Sequence, residues 1–590
     1  MHTAIGGLFV GALALSACKP THKQASPPTM PAAAPARPGL AADASERDWD
    51  EVWPVQSTAF ADLVPANSPF VLVNMGPLPD GALDFFEPFV APFLEAVYEG
   101  IHRQESEEAQ RVLDFMGPSL DADDLRRAGF DPNPRVLFYA FGPAPVIRIS
   151  LSDPAMVEAS LERARKPDAR ASNFHGQRFW ELALEGEESA LFGALAVNGE
   201  DLVVSVFPEG YEDELLPMVF GQKLPAERLW DTGFLEGAQR EFGLLPHYLL
   251  RVNLYEFLAM ATGRSDARSQ ALMAAMGVNA TDNACVDDIL RLAESVPLLY
   301  AGVREFGAHG IEASFVLDLD AETARALANL TGPIPGLSEQ RSTPEALAGG
   351  FGFDFAGVAP LFQRWGEAVE RRPFVCDELA PLNLLEQPDL FLQMLPPDLR
   401  MFTGASAFVQ DLGKFEEGNS PAVLVLGLED PVEAMAGPFA RDLGVVPQHI
   451  ERRRTGKLAD AVPGTATDDA LAHNKITRGR HAIAIGTQAT SNATLYQAAD
   501  RERPNDGTIA LMRWNAVAFY SDLWRASKFE QKDPRVEAIG HALLSLLTKG
   551  SVTLRARDSG LTLDVSLTRP ESLRKASPTP APAARRAATH

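Results

Sequence analysis

Cysteine is the side chain whose placement most constrains the chemistry of this chain, and there are three: Cys18, Cys285 and Cys376. A thiol can pair, ligate a metal or act as a nucleophile. Cys285 and Cys376 have neither a C-x-x-C spacing nor a neighbouring His, which argues against a metal centre or thiol redox catalysis. They are the disulfide candidates, with two buried free thiols as the alternative. The cluster Gly349-Gly350-Phe351-Gly352 invites a phosphate-loop reading, but Phe355 stands where the dinucleotide fingerprint needs Gly or Ala, and no P-loop Lys follows. HExxH, GxSxG and EF-hand patterns are absent. The 11 His are scattered, and His473 and His481 are expected to flank a strand rather than share a metal. Asp121-Asp123-Asp124 and Asp287-Asp288 fall beside expected helix starts, where carboxylates complement the helix dipole. The aromatic stripe Phe85-Phe86-Pro88-Phe89-Phe93-Tyr98 has helical spacing and reads as core before it reads as a ligand groove. No catalytic, cofactor-binding or metal-binding residue is expected.

Cys18 closes an uncharged apolar run from Ala4 to Leu15. That run is far shorter than the roughly 20 residues needed to cross a bilayer, and it fits the apolar region of a signal peptide. Leu15-Ser16-Ala17-Cys18 resembles the lipobox of bacterial lipoproteins. The resemblance implies that residues 1–17 are removed and that Cys18 is acylated and becomes the first mature residue. An ordinary signal peptide cut after Ala17 is the alternative. Each buried CH₂ contributes about 0.8 kcal/mol, so one acyl chain holds weakly and several hold firmly. Lys19 follows the Cys; in enterobacterial lipoproteins an Asp there favours the inner membrane, so the resemblance implies the outer membrane, facing the periplasm.

Residues 18–50 join that Cys to the rest through a Pro/Ala-rich stretch containing Pro20, Pro27, Pro28, Pro31, Pro35 and Pro38. Such a segment extends as polyproline II, about 3.1 Å per residue, and serves as a tether. Residues 571–590, with Ser577-Pro578-Thr579-Pro580-Ala581-Pro582, lack hydrophobic periodicity and are expected to be disordered. The roughly 520 residues between exceed one hydrophobic core and predict two or more domains. The formal net charge of −26 implies a solvated acidic exterior that repels nucleic acid and anionic lipid.

Strand-like runs recur in the same order twice. Phe70–Asn74 answers to Phe351–Phe355, Pro134–Tyr139 to Leu399–Thr403, and Ile147–Pro154 to Val423–Pro431. Gly199–Val206 answers to Gly479–Ile485, and Tyr248–Asn253 to Ile509–Asn515. Two hairpins close the series, Leu299–Leu319 turning at His309-Gly310 and Val552–Leu567 turning at Ser559-Gly560. The pairs are separated by about 250 to 280 residues, as loop insertions in a duplicated chain would produce. The expected fold is α+β: two tandem, internally duplicated modules, 58–340 and 345–570, each a mostly antiparallel sheet with helices on one face. On this scheme Cys285 lies in the last helix of the first module and Cys376 just after the first helix of the second, so that a bridge would staple the two together.

The opening of the body, Val64-Pro65-Ala66-Asn67-Ser68-Pro69-Phe70-Val71 with Asn74-Met75-Gly76-Pro77-Leu78-Pro79, resembles uncharacterised proteobacterial lipoproteins with duplicated domains of unknown function. That resemblance brings no activity or site residues. The expected function is a non-enzymatic, lipid-anchored cell-envelope protein that binds or scaffolds an envelope protein or polymer. The alternatives are an envelope hydrolase with an unmarked site and a carrier of an apolar ligand. The membrane, through the lipid, is the one partner implied; nucleic acid is not.

Overall fold

The structure, a computed structural model, describes residues 62–568 apart from 77–125, 132–133, 165–169, 183–190, 278–283, 308–309, 338–345, 387–400, 412–413, 415–418, 432–461, 464–474, 504, 516–548 and 558. Cys18, the tether, the tail, the aromatic stripe, Asp121, Asp123, Asp124 and His473 lie outside the described residues.

Strands form at the runs the sequence predicts, with two shifts: the run expected at Phe351–Phe355 begins at Leu347 and gives way to a 3-10 turn at Phe355–Gly357, and the run expected at Leu399–Thr403 is strand from Phe402 to Val409. The first half holds β1 (Phe70–Asn74), β2 (Val136–Phe141), β3 (Ala144–Ser150), β4 (Ala171–Phe174), β5 (Gln177–Leu182), β6 (Leu191–Asn198) and β7 (Asp201–Pro208). It continues with β8 (Leu249–Asn253), β9 (Leu298–Gly307) and β10 (Gly310–Asp318). After β11 (Ile334–Pro335) come β12 (Leu347–Gly352), β13 (Phe402–Val409), β14 (Ala422–Leu428), β15 (Val462–Pro463), β16 (Lys475–Arg478) and β17 (Ala482–Gly486). The series ends with β18 (Glu502–Arg503), β19 (Thr508–Asn515), β20 (Lys549–Arg557) and β21 (Gly560–Thr568).

Every pairing among these strands is antiparallel, and 19 of them form one sheet. Its first half runs β4-β5-β6-β7-β3-β2-β1-β8-β9-β10. Its second half runs β21-β20-β19-β12-β13-β14-β17-β16-β15. The halves join along the whole of β10 and β21, from Gly310↔Thr568 to Asp318↔Gly560. The fold is therefore α+β and antiparallel as expected, but the expected sheet per module is replaced by one continuous sheet. An open edge strand exposes a row of unpaired backbone groups, and pairing two edges removes both.

Nine helices lie among the described residues: α1 (Pro154–Ala164), α2 (Glu212–Val219), α3 (Phe234–Phe242), α4 (Leu254–Ala261), α5 (Ala267–Ala275), α6 (Ala284–Ser295), α7 (Ala321–Ala328), α8 (Val358–Arg371) and α9 (Asn492–Asp500). None is long and apolar enough to cross a membrane. Asn253, Asp266, Asp320 and Ser491 begin α4, α5, α7 and α9 by accepting backbone N–H groups of the first turn.

On one face of the sheet, Val71, Tyr139, Val146, Val203 and Phe207 pack beneath Leu215 and Val219 of α2, Phe234 and Phe242 of α3, and Leu272 of α5. The same face in the second half carries Ala348, Phe408, Val425 and Ala484 beneath Leu495 and Ala498 of α9. Helices are not confined to that face. In α1, Val157 and Leu161 pack on the reverse side against Ile149, Leu195, Val197 and Leu202. This corrects the expectation of helices on one face, and the reason is in the strands: Leu202-Val203-Val204-Ser205-Val206-Phe207 is apolar on both sides and needs cover on both.

β11 pairs with β18, and Ile334 and Leu337 belong to the second core, so the chain has crossed into the second half before residue 338. The glycine cluster is what lets β11 come so close. A Cβ on Gly350 would sit 2.6 Å from Ser406 Cβ and 2.9 Å from Ile334 Cγ2, and one on Gly352 would sit 2.5 Å from the Pro333 carbonyl oxygen. Gly350→Ala is expected to cost about 1–3 kcal/mol by overpacking; urea unfolding showing no loss would remove this explanation of the glycines.

Candidate functional site

Polar side chains at core positions of strands are costly unless partnered, so they mark where the fold does more than pack. Three such groups lie on the helix-covered face of the sheet.

The first is centred on Arg148 of β3, which is 1% exposed. Its Nη1 lies 3.7 Å from Asp201 Oδ2, its Nε 3.5 Å from Tyr139 Oη, and its Nη2 donates to the carbonyl of Val219 at the end of α2. A cation suits a helix C-terminus, where carbonyls point outward. Burial raises the Asp201 carboxyl despite the pull of Arg148, and raises the Tyr139 phenol.

The second is Arg251 of β8, whose guanidinium lies 5.8 Å from the centroid of the Phe234 ring. Burial lowers Arg251, and burial pushes Tyr300, its cross-strand neighbour, up to about 12.

The third occupies the seam where the halves join. Asp564 of β21 lies opposite Ser314 of β10. Ser314 Oγ donates to Asp564 Oδ1 at 2.6 Å, and Arg304 Nη1 of β9 donates to the same oxygen at 3.4 Å. Arg555 Nη1 of β20 donates to Oδ2, and Arg557 Nη2 stands 3.9 Å from it. Three guanidinium groups thus surround one carboxylate. Arg304 reaches it because β9 bulges: Val303 pairs with Ala313 and Glu305 with Glu312, which leaves Arg304 as the extra residue. A second bulge, at Ile509 in β19, lies directly beside Arg555. Burial, and after it the neighbouring Arg304 and Arg555, lower Arg557.

Of the residues singled out in the sequence, the structure brings Cys285 and Cys376 together in a disulfide, with Cα atoms 4.5 Å apart. Glu378 Oε2 touches both sulfurs, at 3.1 Å and 2.8 Å. These three side chains have the spacing of a metal site, but the S–S bond takes up both thiolates. Asp287 and Asp288, read as helix-start carboxylates, divide in role. Asp287 lies in the first turn of α6 and pairs with Arg264 at 3.6 Å, whereas Asp288 turns inward and accepts the backbone N–H groups of Val375 and Cys376. His481 is exposed beside β17. Among the described residues the buried histidine is His247, which is held near Asn74 at 3.4 Å and lowered by burial.

Among the described residues no Ser, Thr or Cys hydroxyl or thiol is hydrogen-bonded to a His. What these groups offer is charge: a sealed ion pair at Arg148, and a partly open cationic cluster at the seam, where Arg304, Arg555 and Arg557 keep a quarter to a third of their side chains in water. None of them was singled out from sequence. The available sign was parity for Arg148 and Arg251, which occupy inward positions in largely apolar strands; Asp564 gives no such sign, since its face of β21 reads Thr562, Asp564, Ser566.

The reverse face of the sheet is different in kind. One cross-strand row reads Phe315, Leu563, Leu554, Ala510, Phe351, Ala405, Leu426, Ile483. Phe315 is 48% exposed, Met512 in the adjoining row 47%, and Phe351 and Leu424 41% each. Compared with protein-family models, curated proteins and solved structures, the chain matches none.

Proposed function

We propose that this chain is a lipid-anchored cell-envelope protein that binds or scaffolds another envelope component through two duplicated α+β modules, without catalysing a reaction. The apolar row on the reverse face carries the binding reading. On that face Phe315, Phe351, Leu424 and Met512 are large apolar side chains left exposed, and clustered exposed apolar side chains mark interaction sites. The anchor rests on the Leu15-Ser16-Ala17-Cys18 motif, and a disulfide is in keeping with an oxidising compartment such as the periplasm. Duplication is supported by strand order: β5-β6-β7-β3-β2-β1-β8-β9-β10 matches β15-β16-β17-β14-β13-β12-β19-β20-β21 position for position. The outer membrane, periplasmic side, is the proposed location.

Cys18→Ala is expected to move the protein from the detergent phase to the aqueous phase in a phase-partition assay; retention in detergent would remove the anchor. With the anchor intact, the double variant Phe315→Glu, Phe351→Glu is expected to lose the component cross-linked to the protein in envelopes, with its thermal unfolding unchanged. If cross-linking survives, the reverse face is not the binding surface. Co-purified lipid lost from the same variant would favour the carrier of an apolar ligand instead.

A further inference from the structure

We infer that the seam between the two halves is a binding site for a phosphate-type dianion, held by Arg304, Arg555 and Arg557. This stands apart from the anchor and from the reverse face, since the cluster lies on the helix-covered side.

Charge comes first. Three guanidinium groups stand within 4 Å of the single carboxylate of Asp564, an excess of two positive charges over that group in a protein whose formal net charge is −26. A phosphate monoester carries about −1.5 to −2 at neutral pH and would balance them. Donor supply comes second. Each Arg presents a fork of N–H donors, and Asp564 engages Nη1 of Arg304 and of Arg555 while Arg557 stands 3.9 Å away. Among the described residues the other donors of Arg555 and Arg557 are available to the three oxygens of a tetrahedral anion, which suits such geometry better than the two oxygens of a carboxylate.

Two further observations indicate that the arrangement is built rather than incidental. The bulge at Arg304 turns an extra residue toward Asp564, and bulges recur where a side chain is re-aimed beside a functional site. Thr562, directly opposite Arg555, is 3% exposed, and its Oγ1 has no hydrogen-bond partner among the described residues. A buried hydroxyl without a partner is unfavourable, and an anion seated on Arg555 would accept its proton. Asp564 on this reading is the resident counter-charge that keeps the three cations together while the site is empty, and it competes with the ligand.

The test uses the full chain in detergent at neutral pH, titrated calorimetrically with inorganic phosphate, with acetate and with chloride at matched ionic strength. Saturable binding is expected for phosphate alone. Arg557→Gln, whose partner is already distant and whose loss the fold tolerates best, should weaken phosphate about tenfold, as should Arg555→Gln. Asp564→Asn should strengthen it several-fold, a gain that a purely structural ion pair cannot give. Absence of saturable phosphate binding, acetate binding as well as phosphate, or affinity unmoved by both Arg557→Gln and Asp564→Asn would each overturn the assignment.

Discussion

Breaking the Cys285–Cys376 bond is expected to lower stability by about 4–5 kcal/mol, on the chain-entropy account for so long a loop. The bond closes a separation of 91 residues. It joins α6, which belongs to the first half, to the segment after α8, which belongs to the second. The ends are also held without it: Asp288 accepts N–H groups from Val375 and Cys376, and the Arg291 guanidinium lies 4.1 Å from the centroid of the Phe374 ring while its Nη1 donates to the Arg372 carbonyl. Those contacts would keep the native arrangement in a Cys285→Ser, Cys376→Ser variant, so the loss should appear mainly as a lower urea midpoint with the fold retained. Because β10 and β21 still join the halves, hydrogen exchange should quicken in α6 and in 372–386 before it quickens in the sheet. Thiol titration of the denatured Cys18→Ala protein should find none before reduction and two after it. Two thiols before reduction, or a reduced protein within about 1 kcal/mol of the oxidised one, would defeat the prediction.

Local pattern carried much of this fold. The β9–β10 and β20–β21 hairpins are visible as alternating apolar residues around a short turn, and the Gly349–Gly352 cluster reads correctly as strand once the phosphate-loop spacing fails. Other features have no local sign. β10 and β21 are remote in sequence, and an edge strand shows its partner only through the pattern of its faces, which many strands share. The side on which α1 packs is equally silent, because Leu202 and Val203 are both apolar and only tertiary packing decides which helix covers which. Asp288 reads as a carboxylate at a helix start, yet its partners are backbone groups of Val375 and Cys376, brought near by the fold. The seam cluster draws its three Arg and one Asp from β9, β20 and β21, and each alone is an ordinary charged residue in a strand. Their convergence is a product of register.

Arg148→Ala should be the most damaging single substitution in the first half, costing about 3–5 kcal/mol at neutral pH, as removal of one member of a buried ion pair does. The side chain is buried between Leu137 and Val203, its register neighbours. Its loss leaves the Asp201 carboxylate without its counter-charge, the Val219 carbonyl without a donor, and a cavity beneath α2. The electrostatic part has a definite dependence on pH. Burial already raises Asp201 above its ordinary value, and removing Arg148 takes away the opposing pull and raises it further. An acid whose folded value is raised contributes stability below its unfolded value and loses it as pH rises through the folded one. The deficit of Arg148→Ala should therefore be smallest near about pH 4, where Asp201 can protonate, and should grow toward neutrality. The double variant Arg148→Met, Asp201→Asn removes both charges and fills the space, and it should recover most of the loss. A deficit equal at both pH values, and unrelieved in the double variant, would assign the cost to the cavity and leave the ion pair without a part in the stability of this core.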